Sequence, residues 1–333
     1  MRPPRLLVTL VAAIALAAVA LSAGIAAASH LPVIGEEEGG KRPPRCFGAA
    51  SRDPVAPCRN ERLKTMVLPK PIDAVLEPNS DCTFLEKEGE LSPCAFGVAP
   101  DQAEETVALI GDSHAAHWRA AIDAVVKAKH WTGVSMTKAG CPLSTAVSDI
   151  PEPGKTKCIR WKRQLFRWFG RHPEVRTVIV SNHTGGKVVG AGGRHYSAHV
   201  RGYGEALQKL PPTVERIISI RDTPRITSNT YPCIERAARR RKPAGPACAL
   251  PRRWALRPDP AKRAAFALDP HRVQLVDLTR FMCSERLCLP VIGGALVNKD
   301  QTHLTRVFAT SLGPYLLRHV DRALASMAAG TRP

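Results

Sequence analysis

Two short stretches of this sequence hold residue types that nucleophilic chemistry through a serine requires. Val107-Ala108-Leu109-Ile110 is a strand-type apolar run leading straight into Gly111-Asp112-Ser113-His114-Ala115, at the mouth of a helical stretch. In an open parallel sheet, ligands bind outside the carboxyl ends of the strands, which puts the Ser113 hydroxyl at the ligand edge. Gly111 permits a sharp turn. The N–H groups that open the following helix point outward, where they can stabilise an oxyanion. A plainer role for Asp112 or Ser113 is that of a helix N-cap. Far along the chain stands Asp300-Gln301-Thr302-His303-Leu304-Thr305, just before an amphipathic helix. An unactivated serine hydroxyl is a poor nucleophile and needs an imidazole base, itself oriented by a third group. Asp300 and His303 can supply both; alternatively they form a surface ion pair, with Thr302 or Thr305 as a helix cap. The two stretches together, at opposite ends of one α/β domain, specify more than either alone.

The elements that must position these residues follow from the hydrophobic pattern. After Pro100, short β-rich apolar runs alternate with helical stretches, the sign of a parallel sheet covered by helices. Strands are expected at 106–110, 133–137, 177–181, 216–220 and 273–275. Ala116 to Lys129 repeats apolar residues at helical spacing, with Trp118, Ala121, Ile122, Val125 and Val126 on one side. Further helices fit 159–169, 200–210 and 305–327. The fold class is therefore a three-layer α/β/α sandwich around a central parallel sheet of about five strands, preceded by a disulfide-rich N-terminal extension.

The 333 residues carry a net charge of +19 and are 44% hydrophobic, enough for a real core. Arg2 and Arg5 precede an uncharged apolar run from Leu6 to Ala28, and Ala26-Ala27-Ala28 supplies a small-residue cleavage pattern. Residues 1–28 are thus expected to be a signal peptide, or a signal-anchor since the run is long enough to span a bilayer. Both outcomes place the rest outside the cytoplasm, secreted or anchored, with membrane contact only through this segment if it is uncleaved. Residues 29–45 read as a linker, 46–105 as the cysteine-containing extension and 106–325 as the catalytic-type domain.

The 10 cysteines fit an oxidising compartment and fall into local pairs. Sequential pairing is expected: Cys46 with Cys58, Cys82 with Cys94, Cys141 with Cys158, Cys233 with Cys248, and Cys283 with Cys288. Cys283-x4-Cys288 also fits a zinc-ligand spacing, but no second knuckle or His pair completes a tetrahedral site. His114 and His117, one helical turn apart, have no coupled carboxylate or cysteine motif and are expected to line or buttress the serine pocket. No metal and no cofactor is called for.

At the serine and histidine blocks the chain resembles the SGNH (GDSL-type) hydrolases, in particular the extracytoplasmic SGNH domain fused to membrane acyltransferase-3 proteins. The matching residues are Gly111 through Trp118, Thr137-Lys138-Ala139-Gly140-Cys141-Pro142, Asp222-Thr223-Pro224-Arg225, Cys283 through Cys288 with Pro290-Val291-Ile292-Gly293, and Asp300 through Thr305. The likeness runs from about Cys46 to Val320. It implies a flavodoxin-like fold, Ser113 as nucleophile, and Asp300 and His303 as the other members of a triad. The family also uses a Gly and an Asn as oxyanion donors. Asn182, after the strand at 177–181, and Gly140 are the residues here that fit, although an Asx turn and a plain turn are their simpler roles.

The resemblance implies a serine esterase or O-acyltransferase acting on acyl esters, O-acetyl above all, of a cell-wall or surface glycan. The sequence shows no membrane acyltransferase portion, a departure from the family that leaves the acyl donor open; a separate membrane acyltransferase is one partner the resemblance allows. The competing expectation is a catalytically silent relative that binds anionic envelope polymers; intact Ser113, Asp300 and His303 argue against it. Arg236, Arg239, Arg240, Arg241 and Lys242 form a basic, Pro-rich insertion, expected as a loop pinned by Cys233 and Cys248 that helps dock an anionic polymer or membrane surface, a plain solvated loop being its simpler role. A nucleic-acid partner is excluded by the N-terminal segment, which denies the cytoplasmic location it needs.

Overall fold

Strands that are covered on both faces need apolar residues at every position rather than at alternate ones. Glu105–Gly111 (β3) and Thr177–Ser181 (β5) have this character and sit side by side at the centre of the sheet. They belong to a computed structural model that describes residues 43–332. The apolar run at 1–28 and most of the linker lie outside the described residues. Among the described residues, no helix is long and apolar enough to cross a membrane.

In chain order the elements that build the domain are β1 (Thr83–Phe84), β2 (Cys94–Gly97), β3, α1 (Ser113–Ala128), β4 (Trp131–Thr137), α2 (Gly154–Arg171) and β5. They continue with α3 (His195–Gln208), β6 (Arg216–Ile220), α4 (Thr230–Arg239), α5 (Pro260–Phe266), β7 (Val273–Val276) and α6 (Arg306–Ala329). The sheet has seven strands in the order β1-β2-β4-β3-β5-β6-β7. β4, β3, β5, β6 and β7 run parallel, and β1 and β2 are antiparallel additions at one edge. The five parallel strands are those expected from the sequence. The two extra ones come from the cysteine-rich extension, where strands of two and four residues among prolines and turn residues leave no period to read. The Cys82–Cys94 disulfide flanks their pairing, in which Phe84 faces Cys94.

Alternation along the strands feeds two separate cores. Val107 and Leu109 face the side covered by α1 and α6, where Trp118, Ile122, Phe308, Leu312 and Leu316 are buried. Ala108 and Ile110 face the other side, covered by α2 and α3 through Trp161, Leu165, Phe169 and Leu207. Helices on both faces of a mostly parallel sheet make the three-layer sandwich. The helices are longer than, or shifted from, the expected ranges by a few residues, as terminal turns carry little periodicity.

The basic insertion differs from its expected form. Arg236 and Arg239 lie on α4, which buries Ile234 and Ala237, and only Arg241 and Lys242 follow in the turn after its cap at Arg240. Prolines suggested a loop, but Pro232 falls in the first turn of the helix, where the missing N–H costs nothing. The Cys233–Cys248 disulfide ties α4 to the short helix Ala244–Ala247.

The ten cysteines form five disulfides, each joining sequential neighbours: Cys46–Cys58, Cys82–Cys94, Cys141–Cys158, Cys233–Cys248 and Cys283–Cys288. Cys141 and Cys158 are both buried and clip the loop after β4 to the first turns of α2. Replacing this pair by Ser is expected to lower the unfolding free energy by about 3 kcal/mol, read as a fall in denaturation midpoint. A non-reducing peptide map of the native protein should show all five links, and free thiols would contradict the pairing.

Candidate active site

At the end of β3 the backbone turns at Gly111, whose φ is 142°. A Cβ there would lie 1.9 Å from the Ser181 carbonyl oxygen, so only glycine permits this approach of β3 to β5. Asp112 then caps α1, accepting the His114 N–H at 2.8 Å, and its second oxygen accepts the His183 N–H at 2.9 Å from the loop after β5. The cap role therefore belongs to Asp112. Ser113 is left as the first residue of α1, its own N–H without an intrahelical acceptor.

The parallel strands follow the spatial order second, first, third, fourth, fifth, and the order reverses between β3 and β5. Ligands in such sheets bind at this switch point, outside the carboxyl ends of the strands. Ser113 and Asn182 leave the sheet on the two sides of it.

Ser113 Oγ lies 2.8 Å from His303 Nε2, and His303 Nδ1 lies 2.7 Å from Asp300 Oδ2. The other Asp300 oxygen accepts the N–H groups of Thr302 and His303 at 2.8 and 2.9 Å. Burial acts to raise the pKa of Asp300. The His303 hydrogen bond and the two backbone N–H groups outweigh it and hold the carboxyl at about 2. An ionised Oδ2 against Nδ1 places the ring proton on Nδ1 and leaves Nε2 to accept from the serine. Thr305 caps α6 by accepting the Phe308 N–H at 3.0 Å, so the cap reading and the Asp-His pairing hold together on one loop.

Behind these residues lies a second polar layer. His114 Nδ1 is 2.5 Å from Asp222 Oδ1, both side chains being almost wholly buried. Asp222 also accepts from the Thr223 N–H on Oδ1 and from the Thr184 N–H and hydroxyl on Oδ2. Burial pushes against charge on both partners, but their mutual attraction and hydrogen bond win, raising the His114 pKa and lowering that of Asp222. The His114 ring packs 4.8 Å from that of His303 and 4.5 Å from that of His183. His117 is fully buried and accepts from the Leu304 N–H at 3.4 Å; burial keeps it neutral, as it does His183, whose pKa falls to about 4. His114, His117 and His183 thus buttress the Ser113–His303 pair, and His114 and His117 turn to different partners rather than to a shared ligand.

Asn182 is buried, and its side-chain oxygen accepts the Leu143 N–H at 2.8 Å, which fixes the orientation of its amide. Gly140 is an exposed turn residue with φ 67°, in a turn closed by the Cys141 N–H on the Lys138 carbonyl. Among the described residues no hydrogen bond joins Gly140 to Ser113 or Asn182. The five basic residues Arg236, Arg239, Arg240, Arg241 and Lys242 are all exposed, and none makes an ion pair among the described residues. Asp222 and His183 escaped the reading of single residues, because a lone Asp or His after a strand carries no pattern; only the position of each at a strand's carboxyl end signals it.

No curated protein is similar to the chain. Among solved structures, it is similar to the periplasmic domain of the lipopolysaccharide acetyltransferase of Salmonella ser. Paratyphi A, with a TM-score of 0.51 and 16% identity. That likeness covers 67% of this chain and 85% of the Salmonella one, and at this identity it speaks for the fold. The model of the SGNH domain, described as fused to AT3 domains, matches residues 81–318. With the serine, the histidine and the switch-point loops all inside that range, the chain belongs to the family of SGNH domains that occur fused to acyltransferase-3 domains.

Proposed function

We propose that the protein is an extracytoplasmic enzyme that cleaves or transfers acyl esters, O-acetyl in particular, on a cell-wall or surface glycan. The observation that carries this reading is the unbroken hydrogen-bond chain from Ser113 through His303 to Asp300 at the switch point of the sheet. In the reaction, Ser113 Oγ attacks the ester carbonyl carbon while its proton passes to His303 Nε2. The tetrahedral intermediate collapses as His303 returns that proton to the leaving alcohol oxygen, leaving an acyl-serine. Water or a sugar hydroxyl, deprotonated by the same imidazole, then attacks the acyl group and restores Ser113. Asp300 stays ionised and holds the imidazolium. The Ser113 N–H and the Asn182 amide are the proposed oxyanion donors, each contributing about 3 kcal/mol; Gly140 is the weaker third.

Five disulfides support an oxidising compartment, consistent with residues 1–28 acting as a signal or anchor. The family's fusion to AT3 domains, together with the lipopolysaccharide acetyltransferase domain of Salmonella, supports acetyl chemistry outside the cytoplasm and a membrane acyltransferase as donor. The exposed Arg236, Arg239, Arg240, Arg241 and Lys242 are proposed to dock an anionic envelope polymer by long-range attraction.

Ser113→Ala is expected to lower turnover of a small activated acetyl ester by at least about 1,000-fold with an unchanged melting curve. His303→Ala should be as damaging, and Asp300→Asn about tenfold less so, because the base survives in a poorer orientation. Native-like turnover by Ser113→Ala would remove that residue from the mechanism. Replacing the five basic residues by Gln should reduce retention on isolated cell-wall material. The native protein's retention should weaken as salt shortens the Debye length from about 10 Å at 0.1 M to 3 Å at 1 M; equal retention by both proteins would return the segment to a solvated surface.

A further inference from the structure

Beside the Ser113–His303 pair opens a cleft of about 290 Å³. Its walls include His114, His183 and Thr302, the chain neighbours of Ser113, Asn182 and His303, together with Arg225, Trp254 and Arg257. Arg225 Nε donates to the Trp254 carbonyl oxygen at 3.1 Å, and its guanidinium lies 4.1 Å from the Trp254 ring centroid. These two contacts lock the planar fork. They leave both terminal nitrogens of Arg225 without a hydrogen bond or ion pair among the described residues. Arg257 is exposed and likewise pairs with no carboxylate among the described residues. Burial and then the nearby Arg257 both lower the pKa of Arg225, so the two cations share one neighbourhood and repel. The carboxylate in the cleft, Asp222, does not answer them, since its oxygens are taken by His114, Thr223 and Thr184.

Two guanidinium groups beside a reacting centre, one of them stacked and oriented, with no carboxylate paired to either among the described residues, suit a ligand that brings its own. A guanidinium fork matches carboxylate and phosphate geometry with two parallel hydrogen bonds. The volume lies near the lower end for ligand pockets, about 300 Å³, which suits a single sugar residue. We infer that this cleft binds a carboxylate or phosphate group of the glycan whose ester is presented to Ser113, and that the enzyme's substrate is therefore an acidic glycan, selected by Arg225 and Arg257. The inference rests on the reading of Ser113 as the nucleophile for glycan esters. Arg225 and Arg257 act on the substrate's charge and so set which ester is reached, while the bond-making steps remain those of Ser113 and His303.

Three O-acetylated methyl glycosides separate the possibilities: glucoside, glucuronoside and glucoside 6-phosphate. The native protein should process at least one acidic ester with a kcat/KM at least tenfold above the neutral one, mainly through KM. Whichever acidic ester is preferred identifies carboxylate or phosphate as the group bound. Arg225→Gln and Arg257→Gln should each lower the acidic-to-neutral ratio at least tenfold, and Arg225→Lys should fall between, keeping charge but losing the fork. Arg257 is exposed, so its variant reports even if Arg225→Gln misfolds. Calorimetric titration of methyl glucuronoside and methyl glucoside 6-phosphate into Ser113→Ala supplies a readout independent of turnover: binding of one should be lost when both arginines become Gln. Equal handling of the three esters, or a preference and binding indifferent to the arginines, overturns the inference. Absence of all ester turnover while the titration succeeds would defeat the Ser113 reading and leave the anion site standing.

Discussion

Gly111 and Ser181 end β3 and β5 side by side, so near that any side chain on Gly111 would strike the Ser181 carbonyl. This close approach is the constraint on which the site depends. It lets the chain leave β3 in a positive-φ turn and start α1 after the single residue Asp112, which can grip both exits from the sheet. One oxygen caps α1 and the other holds the loop that carries Asn182 and His183. A bulkier residue at Gly111 would push the strands apart where Ser113 and Asn182, the residues proposed to act on one ester, leave the sheet. Stability and function are coupled at that one position.

The second polar layer behind Ser113 and His303 is a set of buried acids held in different charge states. Asp112, Asp222 and Asp259 are all buried, and burial alone opposes the charge on each. Asp222 is driven to the charged form by His114, whereas Asp112 is pushed upward and Asp259 rises to about 6, in part because Asp222 is already charged. Asp259 accepts the Asp222 N–H and caps α5 through the N–H groups of Ala261 and Lys262, so the acids are linked by backbone as well as by field. Breaking a buried pair such as His114–Asp222 would strand one charge, at a cost of about 3–5 kcal/mol. The pair therefore locks the ring that packs against His303.

How far the sequence could be read follows from the range of each signal. The five parallel strands were legible because continuous apolar runs need no partner to be recognised, and α1 and α6 because their apolar stripes repeat over several turns. Ser113, Asp300 and His303 were legible as two local motifs, since the strand-Gly-Asp-Ser turn and the Asp-x-x-His loop each carry their geometry within a few residues. β1 and β2 were not: strands of two and four residues carry no period even with the local Cys82–Cys94 link beside them, and the edge of β4 that β2 joins is remote in sequence. α4 was hidden by Pro232 and by a run of charges that reads as solvated loop. The pairing of His114 with Asp222 spans 108 residues and has no local trace. The placement of Arg225 beside Trp254 is of the same kind: a charge becomes informative only when the fold shows that no carboxylate among the described residues answers it.

The two halves of the Ser113–His303 contact arrive from nearly opposite ends of the domain, and the packing of two helices brings them together. Ser113 is the first residue of α1, and His303 stands just before Thr305, the cap of α6. These helices pack on each other over the same face of the sheet, through Trp118, Ile122 and Val125 on one and Phe308, Leu312 and Leu316 on the other. The 2.8 Å between Oγ and Nε2 is thus the far end of a hydrophobic contact, set by side chains buried between the helices and the sheet. Because interiors are close-packed, a methylene lost from that interface is felt as a shift of the helices rather than absorbed. A misplacement of about 1 Å can cost 100-fold in rate. The core of α1 and α6 therefore sets the Ser113–His303 contact on which the proposed chemistry rests, and Asp112 and Thr305, capping the two helices, fix where each half of that contact begins.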